Sequence, residues 1–206
     1  MMYNITKGGG AGGVACVVWI GGGILAGAVA DPAGVYAERL RCLRQQAERY
    51  KRLAYTDPLT GAANRLAFEE RLEALKSAEE SVAIASLDLN DLKAVNDAYG
   101  HVAGDRLLRK AAGVLAANCT GRAEVYRVGG DEFCLLATGM QKPCAERLFS
   151  QLEAALQREA VDMALGWEHL DCAAAGSLEM LRTRSDKAMY RAKRAGKNVG
   201  RAEGEE

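Results

Sequence analysis

Residues 124–136, EVYRVGGDEFCLL, decide the fold of this chain. The runs 124–128 and 132–136 are rich in residues that favour strands, and a Gly-Gly-Asp sequence at 129–131 separates them. A Gly-Gly turn between two such runs is a strong β-hairpin signal. The stretch therefore predicts two antiparallel strands joined by a tight turn.

Upstream of this hairpin, residues 82–89 form a short apolar run with Asp88 near its end, which predicts a buried strand. Asn90 is a good N-cap for the helix expected after it. Helical patterns cover residues 66–76, 103–117, 144–158 and 178–195, and a further strand pattern covers 161–167. Because helices and strands alternate but one strand pair is a hairpin, we expect an α/β (α+β) domain with a mixed or antiparallel sheet and helices packed on it.

Three carboxylates mark one edge of the expected sheet. Asp88 stands at the end of a strand, and Asp131 and Glu132 follow the two glycines of the hairpin. If the hairpin lies beside the Asp88 strand, like charges converge there, and a bound cation is the natural compensation. Carboxylate oxygens suit Mg²⁺, which shares its coordination with waters and substrate phosphates. The glycines would let a nucleotide approach the hairpin backbone, although a Gly-Gly-Asp-Glu turn alone is also ordinary hairpin chemistry.

Five polar side chains near these elements are candidates for binding a nucleotide. Lys193 and Lys197 are four residues apart and share a helix face, and Lys93 lies on the helix after the first strand. Lysines beside a metal site can neutralise phosphate charge, but each one taken alone also fits a solvated surface. Asn96 and Asp105 stand near helix starts, where such residues are usually caps. Together, an amide and a carboxylate could also read the edge of a guanine base.

The composition excludes some classes of function. The 206 residues include 27 Lys and Arg and 27 Asp and Glu, so the formal net charge is zero. A nucleic-acid-binding surface usually needs a basic excess, so we expect no nucleic-acid partner. The six cysteines form no C-x-x-C pair, which disfavours zinc and a disulfide framework and favours a reducing compartment.

The N-terminal residues differ in character from the rest. Residues 8–30 carry no charged side chain, and about 20 apolar residues are what a membrane helix needs. We expect a tail over residues 1–10 and a transmembrane helix over residues 11–30, followed by basic residues that place the C-terminal part in the cytoplasm. The predicted location is the inner (cell) membrane, single-pass, with a soluble cytoplasmic protein as the alternative. The run also suits a Gly-rich leader or, with Ala-Val-Ala at 28–30, a cleaved signal peptide.

A helical linker is predicted over residues 31–56. A helix over 35–54 has apolar residues alternately four and three apart, which is a heptad seam of fewer than three repeats. The seam consists of Tyr36, Leu40, Leu43, Ala47, Tyr50 and Ala54. Such a helix either packs on its own domain or forms a stalk that joins two copies of the chain.

Four motifs stand in the C-terminal part. They read DPLTG at 57–61 with Asn64-Arg65 after it, DLNDLKAVNDAYGHVAGD at 88–105, RVGGDEF at 127–133 and DKAMYRAKRAGKN at 186–198. In this order they resemble the motifs of the GGDEF family, the diguanylate cyclases. The resemblance implies a GGDEF domain over residues 57–200 and an acidic tail over 201–206. Its fold would be palm-like, with a central, mostly antiparallel sheet wrapped by helices.

The resemblance also implies a role for each matching residue. The metal ligands would be the side chains of Asp88 and Asp131 and the carbonyl of Leu89, and the cofactor would be Mg²⁺ (or Mn²⁺). Asp131 and Glu132 would be catalytic. Substrate would be bound by Lys93, Asn96, Asp105, Gly129, Gly130, Lys193 and Lys197, of which Asn96 and Asp105 would recognise guanine and the lysines would contact the triphosphate.

The implied function is the condensation of two GTP molecules into cyclic di-GMP, a bacterial second messenger, with release of two pyrophosphates. Each domain would hold one GTP, so the implied partner is a second copy of the chain in a homodimer. A different class of function stays open, in which a catalytically silent GGDEF domain binds GTP as a regulatory module. A related cyclase with another base preference is a third hypothesis.

The chain departs from the family pattern in four places. Residues 120–123 read TGRA where many members have an inhibitory Arg-x-x-Asp, so we expect no product inhibition through that site. Asn90 replaces a common second aspartate, and Lys197 replaces a common arginine, which loses the planar fork of the guanidinium. Residues 164–166 read Ala-Leu-Gly where Ser-Ile-Gly is usual. These changes spare the implied metal ligands.

Overall fold

The structure, a computed structural model, describes residues 14–20, 23–29, 32–119, 121, 123–172 and 177–202. Side chains are described for residues 36–119, 121, 123–172 and 177–195. The chain divides into two compact units, one up to Arg52 and one from Leu53 onward.

The N-terminal unit contains two strands where we expected one helix over residues 11–30. β1 (Val14–Ile20) pairs with β2 (Gly23–Val29) in antiparallel register. Valine and isoleucine favour strands, and each glycine in a helix interior costs about 1 kcal/mol relative to alanine. Glycine is also uncommon in strands, so the β-branched residues are what favours strands here. Among the described residues, no helix is both long enough and apolar enough to span a membrane. The helix that follows, α1 (Pro32–Tyr55), covers the helix predicted over residues 35–54 and begins at a proline, whose fixed φ suits a first helical turn. Its role as a linker stays a prediction.

The C-terminal unit alternates strands and helices, as the sequence predicts. Its elements are β3 (Ala63–Asn64), α2 (Arg65–Leu75), β4 (Val82–Leu89), α3 (Leu92–Tyr99), α4 (His101–Asn118), β5 (Ala123–Arg127), β6 (Glu132–Thr138), α5 (Lys142–Arg158), β7 (Met163–Leu170) and α6 (Ser177–Ala202). The two-residue strand β3 was not expected from the sequence.

These strands form one five-stranded sheet in the order β3-β5-β6-β4-β7. β5 and β6 are the predicted hairpin, with Tyr126 opposite Cys134, and β4 lies between β6 and β7. All of these pairs are antiparallel, and the short pairing of β3 with β5 is parallel. The predicted mixed, mostly antiparallel sheet is confirmed.

Strand β4, which lies inside the sheet, is buried along its whole length, and its side chains alternate between two cores. Ala83, Ala85, Leu87 and Leu89 belong to the core built with α4 and α5. Val82 and Ile84 belong to the core built with α2 and α6. By this alternation, Ser86 and Asp88 lie on the α6 side of the sheet.

Helix α6 packs against β7 and β4, and its backbone comes close to the sheet at Gly166 of β7. A Cβ atom at Gly166 would lie 2.7 Å from the Met189 Cα and would overlap the Met189 backbone nitrogen. Gly166 therefore sets how closely α6 can lie on the sheet.

We expect Gly166→Ala to destabilise the C-terminal unit, because the added methyl group would overlap backbone atoms, which cannot rotate away as a side chain can. Overpacking of this kind costs about 1–3 kcal/mol. The matched control is Gly113→Ala in α4, where a Cβ atom would meet nothing within 4 Å. That change should stabilise the protein by roughly 1 kcal/mol, because alanine is the better helix former. Urea unfolding measures both free energies, and wild-type stability of Gly166→Ala would contradict the close contact.

Candidate functional site

The three predicted carboxylates stand at one end of the β4–β6 pair. Asp88 of β4 is directly opposite Glu132 of β6. The backbone N–H of Leu89 donates a hydrogen bond of 3.0 Å to the carbonyl oxygen of Asp131. The sheet register thus brings Asp88, Leu89, Asp131 and Glu132 together at the turn end of the hairpin, as the sequence predicts.

Asp88 is a buried carboxylate with a cation beside it. The residue is 8% exposed, and its Oδ1 accepts a hydrogen bond from the Lys193 ammonium of α6. A charge removed from water needs such a partner, because the burial of an isolated ionised group costs several kcal/mol. Strand β4 and helix α6, which are distant in sequence, therefore meet in an ion pair at the edge where the metal was predicted.

The donors at this edge fit a divalent cation that is shared with a ligand. Among the described residues, no three His, Cys, Asp or Glu side chains are grouped to enclose a metal. Mg²⁺, however, is usually held by one or two carboxylates together with waters and substrate phosphates. Asp88, Asp131 and the Leu89 carbonyl are a donor set of that kind, and the ammonium against Asp88 shows that a positive charge is accommodated at this position.

The two hairpin glycines have different surroundings. The N–H groups of Val128 and Gly129 donate to the carbonyl oxygen of Glu132, at 3.0 and 3.2 Å. A Cβ atom at Gly129 would lie 3.0 Å from the Glu132 Cβ and would overlap its Oε2, whereas a Cβ atom at Gly130 would meet nothing within 4 Å. We expected both glycines to leave room for phosphates. A side chain at position 129 would therefore meet Glu132, whereas one at position 130 would extend into open space, and the room for phosphates stays a prediction for both glycines.

Two arginines donate hydrogen bonds to backbone carbonyls of the hairpin turn. Arg127 Nη1 donates to Asp57 Oδ1 at 2.9 Å, and its Nη2 donates to the Gly130 carbonyl at 2.6 Å. Arg65 Nε donates to the Val128 carbonyl at 2.8 Å. Sequence reasoning left these residues out of the site, although Asp57, Arg65 and Arg127 all stand in the motifs quoted above. Their presence in those motifs could have identified them as candidates. The contact of Arg127 with Asp57 and that of Arg65 with Val128 are visible only in the fold.

Asp57 is the negatively charged partner of Arg127 in these contacts. Burial alone would raise the pKa of this carboxyl, but hydrogen bonds from the Thr60 and Arg127 side chains and from the Thr60 N–H outweigh burial and hold its pKa below the ordinary 3.8. The ion pair is largely sheltered, with the Arg127 and Asp57 side chains 12% and 18% exposed. Asp57 is therefore ionised at neutral pH and fixes Arg127 under the turn.

Helices α3 and α4 carry the two residues predicted to read guanine, Asn96 and Asp105. A Cβ atom at Gly104 would lie 2.9 Å from the Asn96 Cγ, so the Asn96 amide lies against the residue that precedes Asp105. Lys93 is exposed in the first turn of α3. The side chain of Lys197 lies outside the described residues, as do residues 120 and 122 of the window without the inhibitory motif.

Asn90 is not the N-cap of α3, contrary to our expectation. The N-cap is Asp91, which has a φ of 55° and makes no capping hydrogen bond through its side chain. The Asn90 N–H and Nδ2 instead donate to the Asp162 backbone carbonyl and Oδ1, both at 3.0 Å. An aspartate at position 90 would set one carboxylate against another, which accounts for the amide found there.

A cavity of about 610 Å³ opens beside Glu132, between β4, β6 and α6. Its lining includes Ser86, Asp186 and Tyr190, but neither Asn96 nor Asp105. The cavity therefore adjoins the acidic edge on the α6 side, while the predicted guanine-reading residues lie on the α3–α4 pair.

The Asp57–Arg127 pair should stabilise the fold in a pH-dependent way. Because the folded-state pKa of Asp57 is lowered, its contribution is complete above 3.8 and is lost as the pH falls through the folded-state value. We expect Asp57→Asn to lower the free energy of unfolding by about 2 kcal/mol at neutral pH. At a pH far below 3.8, the loss should be much smaller. Urea unfolding of both proteins at the two pH values measures the difference, and an equal cost at both would contradict this assignment.

Several known proteins are similar to this chain. The family model described as "Diguanylate cyclase, GGDEF domain" matches residues 54–199. A Streptomyces griseus protein described as an uncharacterized protein in the hutH 5′ region is 40% identical over 73% of this chain and 67% of its own length. Diguanylate cyclase DgcP of Pseudomonas aeruginosa is 32% identical over 78% of this chain, and cyclic di-GMP phosphodiesterase PdeR of Escherichia coli is 34% identical over 75% of it. The chain covers only 27% of DgcP and 25% of PdeR.

The fold has close counterparts among solved structures. The coiled coil and GGDEF domain of DgcB from Caulobacter crescentus, solved in complex with c-di-GMP, superimposes with a TM-score of 0.68 at 24% identity, over 80% of this chain and 93% of that one. At 24% identity, this similarity shows a shared fold and nothing more. The family match covers the whole sheet of the C-terminal unit and the carboxylates at its edge, and on that basis this chain belongs to the GGDEF-domain family.

Proposed function

We propose that this chain is a diguanylate cyclase that condenses two GTP molecules into cyclic di-GMP and releases two pyrophosphates. The observation that carries the proposal is the acidic edge, where Asp131 and Glu132 of the hairpin stand beside the Asp88–Lys193 ion pair. This arrangement combines carboxylates for a cation with an ammonium for phosphate, which is the charge pattern that a nucleoside triphosphate requires.

The reaction is a phosphoryl transfer between two bound GTP molecules. The 3′-hydroxyl oxygen of one GTP bonds to the α-phosphorus of the other, the bond from that phosphorus to the β-phosphate oxygen breaks, and pyrophosphate leaves. Glu132 is our candidate for accepting the hydroxyl proton, since its carboxylate lies at the turn beside the acidic edge. A second transfer in the opposite direction closes the ring and releases the second pyrophosphate.

Asp88, Asp131 and the Leu89 carbonyl would hold Mg²⁺ (or Mn²⁺). When bound, the metal would activate the attacking hydroxyl and offset the charge that develops on the phosphate oxygens. Lys193 would bind the triphosphate, with Lys93 and Lys197 as further cationic contacts. The open space above Gly130 leaves room for phosphate oxygens near the hairpin backbone.

Asn96 and Asp105 would recognise the guanine base. A carboxylate can accept hydrogen bonds from the ring N–H and the amino group of guanine, while the amide supplies both a donor and an acceptor. The position of Asn96 against Gly104, next to Asp105, supports a joint role on the α3–α4 pair.

The reaction needs two domains that face each other, which makes proximity a catalytic requirement. The apolar seam of α1 supports a homodimer, because Tyr36, Leu40, Leu43 and Tyr50 are 72%, 55%, 47% and 70% exposed. A stalk of two such helices would raise the local concentration of the second domain. We place the catalytic domain in the cytoplasm, where GTP is available. Attachment to the inner membrane and the lack of product inhibition stay predictions from the sequence.

The first test is cyclic di-GMP synthesis by the 206-residue chain with GTP and Mg²⁺, followed by mass-resolved chromatography. We expect Asp131→Ala to lower the rate by about two orders of magnitude or more, because loss of an outer-shell partner alone costs 10- to 100-fold at metal sites. Glu153→Ala is the matched control, since Glu153 is an exposed acidic residue of α5. A rate that rises more steeply than linearly with protein concentration would support the homodimer.

The opposite outcome would favour the regulatory alternative. If the wild-type chain makes no cyclic di-GMP at high concentration, even when fused to a strong dimeric coiled coil, but still binds GTP, then it is a GTP-binding regulatory module. The similarity to a phosphodiesterase, PdeR, gives this alternative a specific basis.

The base preference offers a second test. We expect Asp105→Ser to lower the ratio of kcat/KM for GTP to that for ATP, because a serine has one neutral oxygen and cannot set two charged acceptor oxygens against the ring N–H and the amino group of guanine. The matched control is Asp97→Ser, since Asp97 is an exposed aspartate of α3. A variant that still uses only GTP would show that Asp105 does not read the base.

A further inference from the structure

Among the described residues, polar contacts join helix α6 to strand β4 at two positions of the strand, Ser86 and Asp88, and the position at Ser86 lies outside the site described above. The Ser86 hydroxyl of β4 donates a hydrogen bond of 2.5 Å to Asp186 Oδ1 of α6. The other contact is the ion pair of Lys193 with Asp88. Ser86 is 3% exposed whereas Asp186 is an exposed residue, so this hydrogen bond joins a buried hydroxyl to a carboxylate at the border of the strand–helix contact.

The spacing of these contacts connects them mechanically. Ser86 and Asp88 are two residues apart and lie on the same face of β4, at a separation of about 7 Å. Asp186 and Lys193 are seven residues apart, which is two helical turns, so they lie on the same side of α6. The position of Asp186 along β4 therefore determines where the Lys193 side chain arrives.

The apolar contacts of α6 are less able to set this position. Leu178 and Leu181 pack into the core on the α6 side, but burial of apolar surface is non-directional and tolerates sliding. The Ser86 hydroxyl also lies 2.8 Å from the Ser185 hydroxyl, and Ser185 is fully buried. A shift of α6 along β4 would separate the buried Ser86 hydroxyl from its acceptor Asp186, at a cost of about 1–3 kcal/mol for a buried group left unpaired.

We propose that Asp186 is a positioning residue for Lys193: its hydrogen bond from Ser86 fixes α6 along β4 and so holds the Lys193 ammonium at the acidic edge. Gly166 allows α6 to come close to the sheet, and Asp186 sets its position along the strand. The contact of Lys193 with triphosphate rests on the proposed function. The contact of Lys193 with Asp88 is seen in the structure and is independent of that proposal.

Four variants separate this role from others. Asp186→Ala removes the acceptor and Ser86→Ala removes the donor, so both should release Lys193. Asp186→Asn keeps a side-chain oxygen that can accept from Ser86, so it should behave as wild type if the hydrogen bond is what matters. Glu179→Ala is the matched control, since it removes an exposed carboxylate elsewhere on α6.

The first readout needs no nucleotide. An amine-reactive acylating reagent is applied to the full chain, and mass spectrometry compares the labelling rate of Lys193 with that of exposed Lys142 on α5. We expect this ratio to rise about threefold or more in Asp186→Ala and Ser86→Ala, because the amine loses its carboxylate partner, and to stay at the wild-type value in Asp186→Asn and Glu179→Ala. An unchanged ratio in Asp186→Ala would overturn the proposal.

The second readout is the Kd for Mg²⁺–GTP, measured by calorimetry as a double-mutant cycle. We expect Asp186→Ala and Lys193→Ala each to raise Kd by about three- to tenfold, and the double variant to bind no more weakly than Lys193→Ala alone. Multiplied losses in the double variant would show that Asp186 acts independently of Lys193 and would overturn the proposal. A wild-type chain that binds no GTP would contradict the proposed function, while the labelling experiment would still decide the role of Asp186.

Discussion

A carboxylate at the end of the interior strand β4 has to be matched by a cation. Asp88 lies on the most buried strand of the sheet, and its charge is compensated there by the Lys193 ammonium. An unpaired charge at that position would cost more than an ordinary side-chain contact returns. This constraint links the sheet edge to the C-terminal helix, and it concentrates opposite charges where a metal ion and a triphosphate would be bound.

The surrounding structure keeps that edge in place from two directions. On the hairpin side, Arg127 joins the Gly130 carbonyl to Asp57, so the segment before the first core helix is connected to the turn that carries Asp131 and Glu132. On the helix side, Gly166 allows α6 to come close to the sheet, and Ser86 bonds to Asp186. Few of these supporting residues would touch substrate. They hold in place the strands and the helix that carry the proposed substrate-binding residues.

The sequence predicted local structure well where a strong pattern was present. Strand Val82–Leu89 and the hairpin around residues 129–131 were expected with nearly their observed limits, because apolar runs and Gly-Gly turns encode them locally. Asn90 was misassigned because its partner is Asp162, a residue 72 positions away that no local pattern indicates. The strands β1 and β2 were expected as one helix because hydropathy reports apolar length and not backbone geometry.

The sequence by itself determined the type of domain, the hairpin and the identity of the acidic residues, because these depend on residue type, spacing and order along the chain. Only the tertiary structure decided which side chains meet: Lys193 with Asp88, Arg127 with Asp57, Asp186 with Ser86, and Glu132 over Gly129. The first three of these contacts join residues between 70 and 105 positions apart. Such pairs depend on the register of the strands and on the position of a helix on the sheet. Both are set by packing of the whole sheet rather than by any local stretch of sequence.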